Sequence, residues 1–286
     1  MPVHSSYDPA WLNSQYNNRL HVPDFQDYFD RWEKESRETE NALPVIKDIA
    51  YGDGPRERLD VYPSPHPRSK TLIFIHGGYW QMLDKTLFHF LARGFHAKGI
   101  TTVFLTYPLA PAASIDDIVG SCRKTVPWLY HNASTFNSDP NQLYVAGHSA
   151  GGHLAAMLVA TDWGLLHPDI PANVLKGACF VSGLFDLVPI QLSYLNAVLG
   201  MDKEMAVRNS PVKFQSFAAC PLIIAVGERE TEAFHEQSRE LYKSWKEKVN
   251  EVQFLSLPWR NHFSVVDAVT DPDATLFPAI CRLMGR

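Results

Sequence analysis

Short, nearly unbroken apolar runs recur along this chain, and longer segments with apolar residues at helical spacing lie between them. The runs at residues 59–62, 71–75, 101–107, 143–146, 178–182, 222–226 and 252–257 read as strands. Residues 85–98, 115–130, 152–160 and 232–249 carry the spacing of helices. Strands that alternate with helices pair in parallel through right-handed crossovers. Strands apolar on both faces belong to a sheet that is covered on both sides. The pattern therefore predicts an α/β fold, a three-layer sandwich with a mostly parallel central sheet. No repeat, low-complexity tract or linker divides residues 1–286, so one domain is expected. Residues 1–45 differ from the rest in being polar and aromatic, with Tyr7, Trp11, Tyr16, Phe25, Tyr28 and Trp32, and a charge-rich stretch at 31–37 reads as a solvated helix. They are expected to form an arm packed on the body.

Composition narrows the classes of partner. At 45% hydrophobic and 20% charged, the chain suits a soluble globule with a sizeable core. The net charge is -5, and lysines and arginines are scattered near acids, which argues against a nucleic-acid partner. No apolar stretch reaches membrane-spanning length, so no membrane association is expected. Cys122, Cys179, Cys220 and Cys281 lack C-x-x-C spacing and read as buried free thiols in a reducing compartment. Residues 1–10 show neither the basic start nor the apolar stretch of a signal peptide, and a cytoplasmic enzyme is the expectation.

The chemistry centres on Gly147-His148-Ser149-Ala150-Gly151, which joins the run at 143–146 to the helix-like run at 152–160. G-x-S-x-G between strand and helix is a nucleophile elbow, a tight turn that lifts the serine hydroxyl clear of the sheet. A side chain at Gly147 or Gly151 would collide with the adjoining strand and helix. The amide of Ala150, at the start of the helix, faces developing negative charge. A serine hydroxyl needs a base, and the base needs an orienting acid. With this elbow the chain order is serine, acid, histidine. His262, on a loop after the run at 252–257, fits the base, with His235 as its nearest rival. The acid is expected after 222–226, where Glu228 and Glu230 compete; Glu230 is favoured because it sits further out, where the loop can reach the histidine. Asp186 lies one strand too early and reads as a cap or turn residue.

His76-Gly77-Gly78-Tyr79-Trp80 directly follows the run at 71–75. Its glycines let backbone amides approach a substrate, and Gly78 and Tyr79 are expected to join Ala150 in holding an oxyanion, with His76 bracing the loop. Trp80 and Phe185 are candidate substrate contacts; core packing is the competing role for both, and the favoured one for Phe185. The histidines show no metal-ligand spacing, so neither a metal nor any other cofactor is expected.

These residues carry a resemblance. The chain resembles the α/β-hydrolase type of kynurenine formamidase (arylformamidase), within the esterase/lipase superfamily. His76-Gly77-Gly78-Tyr79-Trp80 resembles the H-G-G-x-W segment of that family, and differs from the H-G-G-G of hormone-sensitive-lipase-like esterases. Tyr16-Asn17-Asn18-Arg19 with Val22-Pro23, and Ser182-Gly183-Leu184-Phe185-Asp186-Leu187 leading to Ser210-Pro211, are similar as well, so the likeness spans nearly the whole chain. The resemblance implies a triad of Ser149, Glu230 and His262, with glutamate where similar members typically carry aspartate. It implies hydrolysis of an aryl formamide through a formyl-serine, with a carboxylesterase or an aryl amide or carbamate hydrolase as the alternative. A non-catalytic binder on the same scaffold is the remaining reading, and such proteins usually lose a triad member or the oxyanion loop. The expected partner is a small-molecule aryl formamide or ester, with a homodimer left open.

Overall fold

The strands β1 (Ile46–Ala50), β2 (Arg58–Tyr62), β3 (Ser69–Ile75), β4 (Ile100–Leu105), β5 (Ser138–His148), β6 (Leu175–Val181), β7 (Leu222–Gly227) and β8 (Val252–Leu257) form a single sheet in the order β1-β2-β4-β3-β5-β6-β7-β8. These coordinates are a computed structural model that describes residues 8–214, 220–249 and 251–286. The β1-β2 and β2-β4 pairings are antiparallel, and every pairing from β4 to β8 is parallel. The mostly parallel three-layer sandwich expected from the pattern is therefore the observed architecture.

The reason the strands read as unbroken apolar runs is visible in their faces. In β3, Ile73 and Ile75 enter one core, while Leu72 and Phe74 enter the other. β5 divides in the same way, with Leu143 and Val145 on one side and Tyr144 and Ala146 on the other. The helices Ile115–Asn132, Ala150–Val159 and Glu232–Trp245 cover the first face, and Ala92–Ala97 and Leu276–Leu283 cover the second. Each large side chain withdrawn from water contributes roughly 1.5–3 kcal/mol, and both faces of the sheet draw on that term.

Two segments depart from the pattern. Residues 85–98 form a 3-10 stretch, Lys85–Leu91, followed by the short helix Ala92–Ala97. Polar side chains of the first stretch turn inward: Lys85 Nζ and His89 Nε2 lie 3.4 and 3.0 Å from buried Asp60 Oδ2. β1 carries no apolar run because it is an edge strand exposed over most of its length.

Described residues of the N-terminal segment, among them Gln15, Tyr16, Phe29 and Trp32, lie against the loops that leave the carboxyl ends of the strands. The helix Phe25–Ala42 buries Trp32, which stacks on Phe90 at 5.9 Å, and Ser36 Oγ donates to the Leu87 carbonyl at 3.1 Å. Ahead of it, Thr231 Oγ1 donates to the Gln15 carbonyl at 2.8 Å. Among the described residues no helix is long and apolar enough to cross a membrane.

Candidate active site

Strand register brings distant loops together. Ile75 pairs with Gly147, His148 with Val181, and Gly227 with Leu257. The loops that leave β3, β5, β6, β7 and β8 therefore meet outside the carboxyl ends of a parallel sheet, where such sheets place their sites. Ser149 occupies the sharp turn between β5 and the helix Ala150–Val159, with φ +57° and ψ -122°. Its amide donates to the Val181 carbonyl at 2.9 Å, which ties the turn to β6. A Cβ on Gly147 would stand 2.1 Å from the Gly151 carbonyl oxygen, and one on Gly151 would stand 2.0 Å from that of Ile75. Both distances are prohibitive, so strand and helix approach this closely only with glycine at both places.

The hydroxyl of Ser149 lies 3.1 Å from His262 Nε2, and His262 Nδ1 lies 2.7 Å from Glu230 Oε2. A carboxylate accepts only, so Nδ1 carries the ring proton and Nε2 presents its lone pair to the serine. The other oxygen of Glu230, Oε1, accepts from the Gly227 amide at 2.7 Å and from Ser182 Oγ at 2.5 Å. The Glu230 side chain is fully buried. The competing acid stands elsewhere: Glu228 Oε2 accepts from the Trp259 amide at 3.1 Å on the surface. His235 Nε2 meets the Glu228 carbonyl at 3.3 Å, outside this chain of bonds. Asp186 accepts from the Val188 amide at 3.0 Å and pairs with Lys213 at 3.0 Å.

His148, the variable residue of the elbow motif, has a part that sequence reasoning missed. Its Nε2–H donates to the His262 carbonyl at 2.9 Å, and the two rings lie 4.7 Å apart. The elbow thus holds the backbone of the residue whose side chain faces Ser149. Ser182 was also missed as a partner of Glu230. Both stand in segments that the sequence analysis singled out, but only the register of β5, β6 and β7 shows which groups they bond.

The loop after β3 runs through positive φ at Gly78 (+104°), Tyr79 (+49°) and Trp80 (+58°). Among the described residues no acceptor takes the amides of Gly78 or Tyr79. Ala150, as the first residue of its helix, likewise has no intrahelical acceptor. His76 braces the loop, with Nδ1–H donating to the Gly77 carbonyl at 2.7 Å and its ring stacked on Tyr107 at 4.4 Å. The Tyr79 hydroxyl donates to the Tyr16 carbonyl at 2.6 Å and accepts from Asn18 Nδ2 at 3.0 Å. Burial pushes its pKa well up, so it remains a donor.

A cavity of about 340 Å³ opens beside Ser149 and His262. Its aromatic wall comes from Phe29, Trp32, Tyr79, Phe88, Tyr194 and Phe263. Trp80 and Phe185, the aromatics singled out from the sequence, lie in the core and do not line this cavity. Trp80 is fixed by its Nε1–H, which donates to His153 Nδ1 at 3.2 Å, and the Phe185 ring occupies the space above Gly183. Residues 17–32 contribute a wall of the cavity and also brace the histidine loop. Asn261 Nδ2 donates to Tyr28 Oη at 3.1 Å, and Trp32 Nε1 donates to Asp267 at 2.9 Å.

Three buried histidines frame the site as neutral rings. Burial lowers the pKa of His76 and His153 to about 4, and burial together with the nearby His262 holds that of His148 well below the ordinary imidazole range. The unfolded chain binds more protons than the folded one between pH ~4 and ~6.5, so this stability is complete above pH ~6.5 and declines as pH falls towards 4. Urea unfolding at pH 5 should therefore show about 2 kcal/mol less stability than at pH 7 for each of His76 and His153. The His153→Gln variant, whatever its own stability, should lose one such contribution from its pH dependence.

Parallel strands, an elbow serine and an imidazole–carboxylate pair at the strand ends define an α/β-hydrolase, an enzyme of the serine-hydrolase type. The BD-FAE family model matches residues 59–170. Kynurenine formamidase of Danio rerio is 36% identical over 258 residues, covering 87% of this chain and 86% of that protein. Its counterpart in Salmo salar is 34% identical over 284 residues, with 96% and 94% covered. The chain belongs to the kynurenine formamidase family. A solved structure described as a putative thioesterase from Silicibacter sp. TM1040 superposes with a TM-score of 0.84 at 28% identity, covering 94% of this chain and 98% of that one. A thermophilic carboxylesterase from a metagenomic library shares the fold, at a TM-score of 0.69 and 17% identity, with 91% and 97% covered.

Proposed function

We propose that this protein hydrolyses an aryl formamide, such as N-formylkynurenine, to the aryl amine and formate through a formyl-serine intermediate. Ser149 attacks the formyl carbon while His262 Nε2 takes its proton. Glu230 keeps the proton on Nδ1 and stabilises the charged imidazole. The oxyanion is held by the amides of Gly78, Tyr79 and Ala150. His262 then protonates the leaving aryl nitrogen as the C–N bond breaks. Water, giving a proton to the same imidazole, attacks the formyl ester; formate departs and Ser149 regains its hydrogen.

The observation that carries this reading is the place where the serine–imidazole–carboxylate chain ends. It opens into an aromatic-walled cavity, in a chain whose relatives in two fishes are kynurenine formamidases. Aromatic walls suit a flat aryl group, and the cavity volume falls in the lower part of the roughly 300–1,000 Å³ range of small-molecule sites. The test is a steady-state comparison of substrates. N-formylkynurenine should be turned over with kcat/KM of at least about 10⁴ M⁻¹ s⁻¹ and above the value for p-nitrophenyl acetate. Rapid ester cleavage with no formamide turnover would instead assign a carboxylesterase.

A further inference from the structure

The cavity wall holds a cation that no acid pairs with among the described residues. The wall includes Arg19 and contains neither aspartate nor glutamate. Arg19 lies exposed on the short helix Asn18–His21. What holds its guanidinium is uncharged: Nη2 lies 3.4 Å from Met82 Sδ, and the group sits 4.7 Å above the centre of the Phe25 ring. Among the described residues no carboxylate pairs with it. A thioether and an aromatic face position a cation without neutralising it. The charge is felt inside the cavity, where it opposes the upward push of burial on the Tyr194 phenol. The side chains of Asn17, Asn18 and Gln81, which also line the cavity, are neutral, and the Glu230 carboxylate behind the wall is taken up by His262, Ser182 and the Gly227 amide. The same segment is bonded to the proposed oxyanion loop, because Asn18 Nδ2 donates to Tyr79 Oη at 3.0 Å. The cation is thereby tied to the loop whose amides would receive the reacting carbonyl.

We infer that Arg19 is a specificity-determining residue that binds a carboxylate on the amine portion of the substrate, so that the preferred substrates are aryl formamides that bear a carboxylate. The inference rests on the formamidase reading above, and deepens it. A formyl group carries no charge, so an anion read by this cavity must belong to the leaving aryl amine. A planar guanidinium receives a carboxylate through two parallel N–H donors, a pairing that a lysine ammonium does not reproduce. Because Arg19 touches no reacting atom in this scheme, its effect should fall mainly on KM for carboxylate-bearing substrates.

The test uses a matched pair, N-formylkynurenine and N-formylkynuramine, which differ by the carboxylate alone. The quantity read is the ratio of their kcat/KM values in the wild type, Arg19→Met and Arg19→Lys. Arg19→Met should lower the ratio by about 10- to 100-fold, chiefly through KM, with Arg19→Lys in between; this corresponds to roughly 1.4–2.7 kcal/mol. An unchanged ratio, or an equal loss on both compounds, overturns the assignment. If the wild type hydrolyses neither formamide, the formamidase reading fails separately. The Arg19 assignment is then decided by the same ratio measured on an aryl acetate with and without a carboxylate on its aryl portion.

Discussion

Replacing Ser149 by alanine is expected to lower kcat for formamide hydrolysis by about 10⁴- to 10⁶-fold while the fold stays in place. At 1.36 kcal/mol per factor of ten, the loss amounts to roughly 5–8 kcal/mol of transition-state stabilisation. The magnitude follows from the role proposed for the hydroxyl: its oxygen is the atom that becomes acylated, and among the described residues it is the one hydroxyl hydrogen-bonded to His262 Nε2. The fold should survive because the hydroxyl's bond is to His262, whereas the turn itself is held by the Ser149 amide on the Val181 carbonyl. Alanine keeps that amide and the small Cβ that the positive φ already accommodates. Active-site titration with a fluorophosphonate and a thermal melt make the check. Labelling should disappear while the melting temperature stays within about 2 °C, a shift that a surface-scale stability change would produce. Undiminished turnover by the folded variant would remove the serine mechanism altogether.

What the sequence makes legible is governed by which groups have to be near each other in the chain. The strands stand out because each side chain of a doubly covered strand must be apolar, as Leu72 to Ile75 show by filling both cores in turn. β1 does not stand out, since an exposed edge strand imposes no such demand. The elbow is legible for a steric reason: Gly147 and Gly151 sit where a single carbon would overlap backbone. Ser149, Glu230 and His262 were reachable through chain order, and the structure brings their side chains within hydrogen-bonding distance of one another. The cavity was not reachable in that way. Its wall joins residues 17–32 to the histidine loop, through contacts such as Tyr28 with Asn261 at a separation of 233 residues. No periodicity records such a pairing. Trp80 follows the glycines of its loop closely enough to suggest a ligand contact, yet the hydrogen bond to His153 fixes it in the core. Proximity in sequence to the reacting groups misplaced it, whereas Phe29 and Trp32, far upstream, line the space.

The second large effect separates the two glutamates. Glu230→Gln is expected to lower kcat by about 10³- to 10⁴-fold, and Glu228→Gln to leave it within about threefold. The cause is tautomeric. The Gly227 amide and the Ser182 hydroxyl both donate to Oε1 of Glu230, so a glutamine there places its carbonyl oxygen on that side. Its NH2 group then faces His262 Nδ1, which must accept. The ring proton moves to Nε2 and points at Ser149, and the imidazole can no longer take the serine proton. Glu228 has no such hold on the ring, because its carboxylate caps the Trp259 amide at the surface. Glu230→Asp separates charge from reach. It keeps an acceptor-only group but shortens the side chain by one methylene, which widens the gap to Nδ1, now 2.7 Å, so its activity should fall between wild type and Glu230→Gln. Single-turnover kinetics on all three variants, each shown to be folded, supply the comparison. A severe loss in Glu228→Gln with little change in Glu230→Gln would transfer the orienting role to the other carboxylate and require the loop after β7 to rearrange in solution.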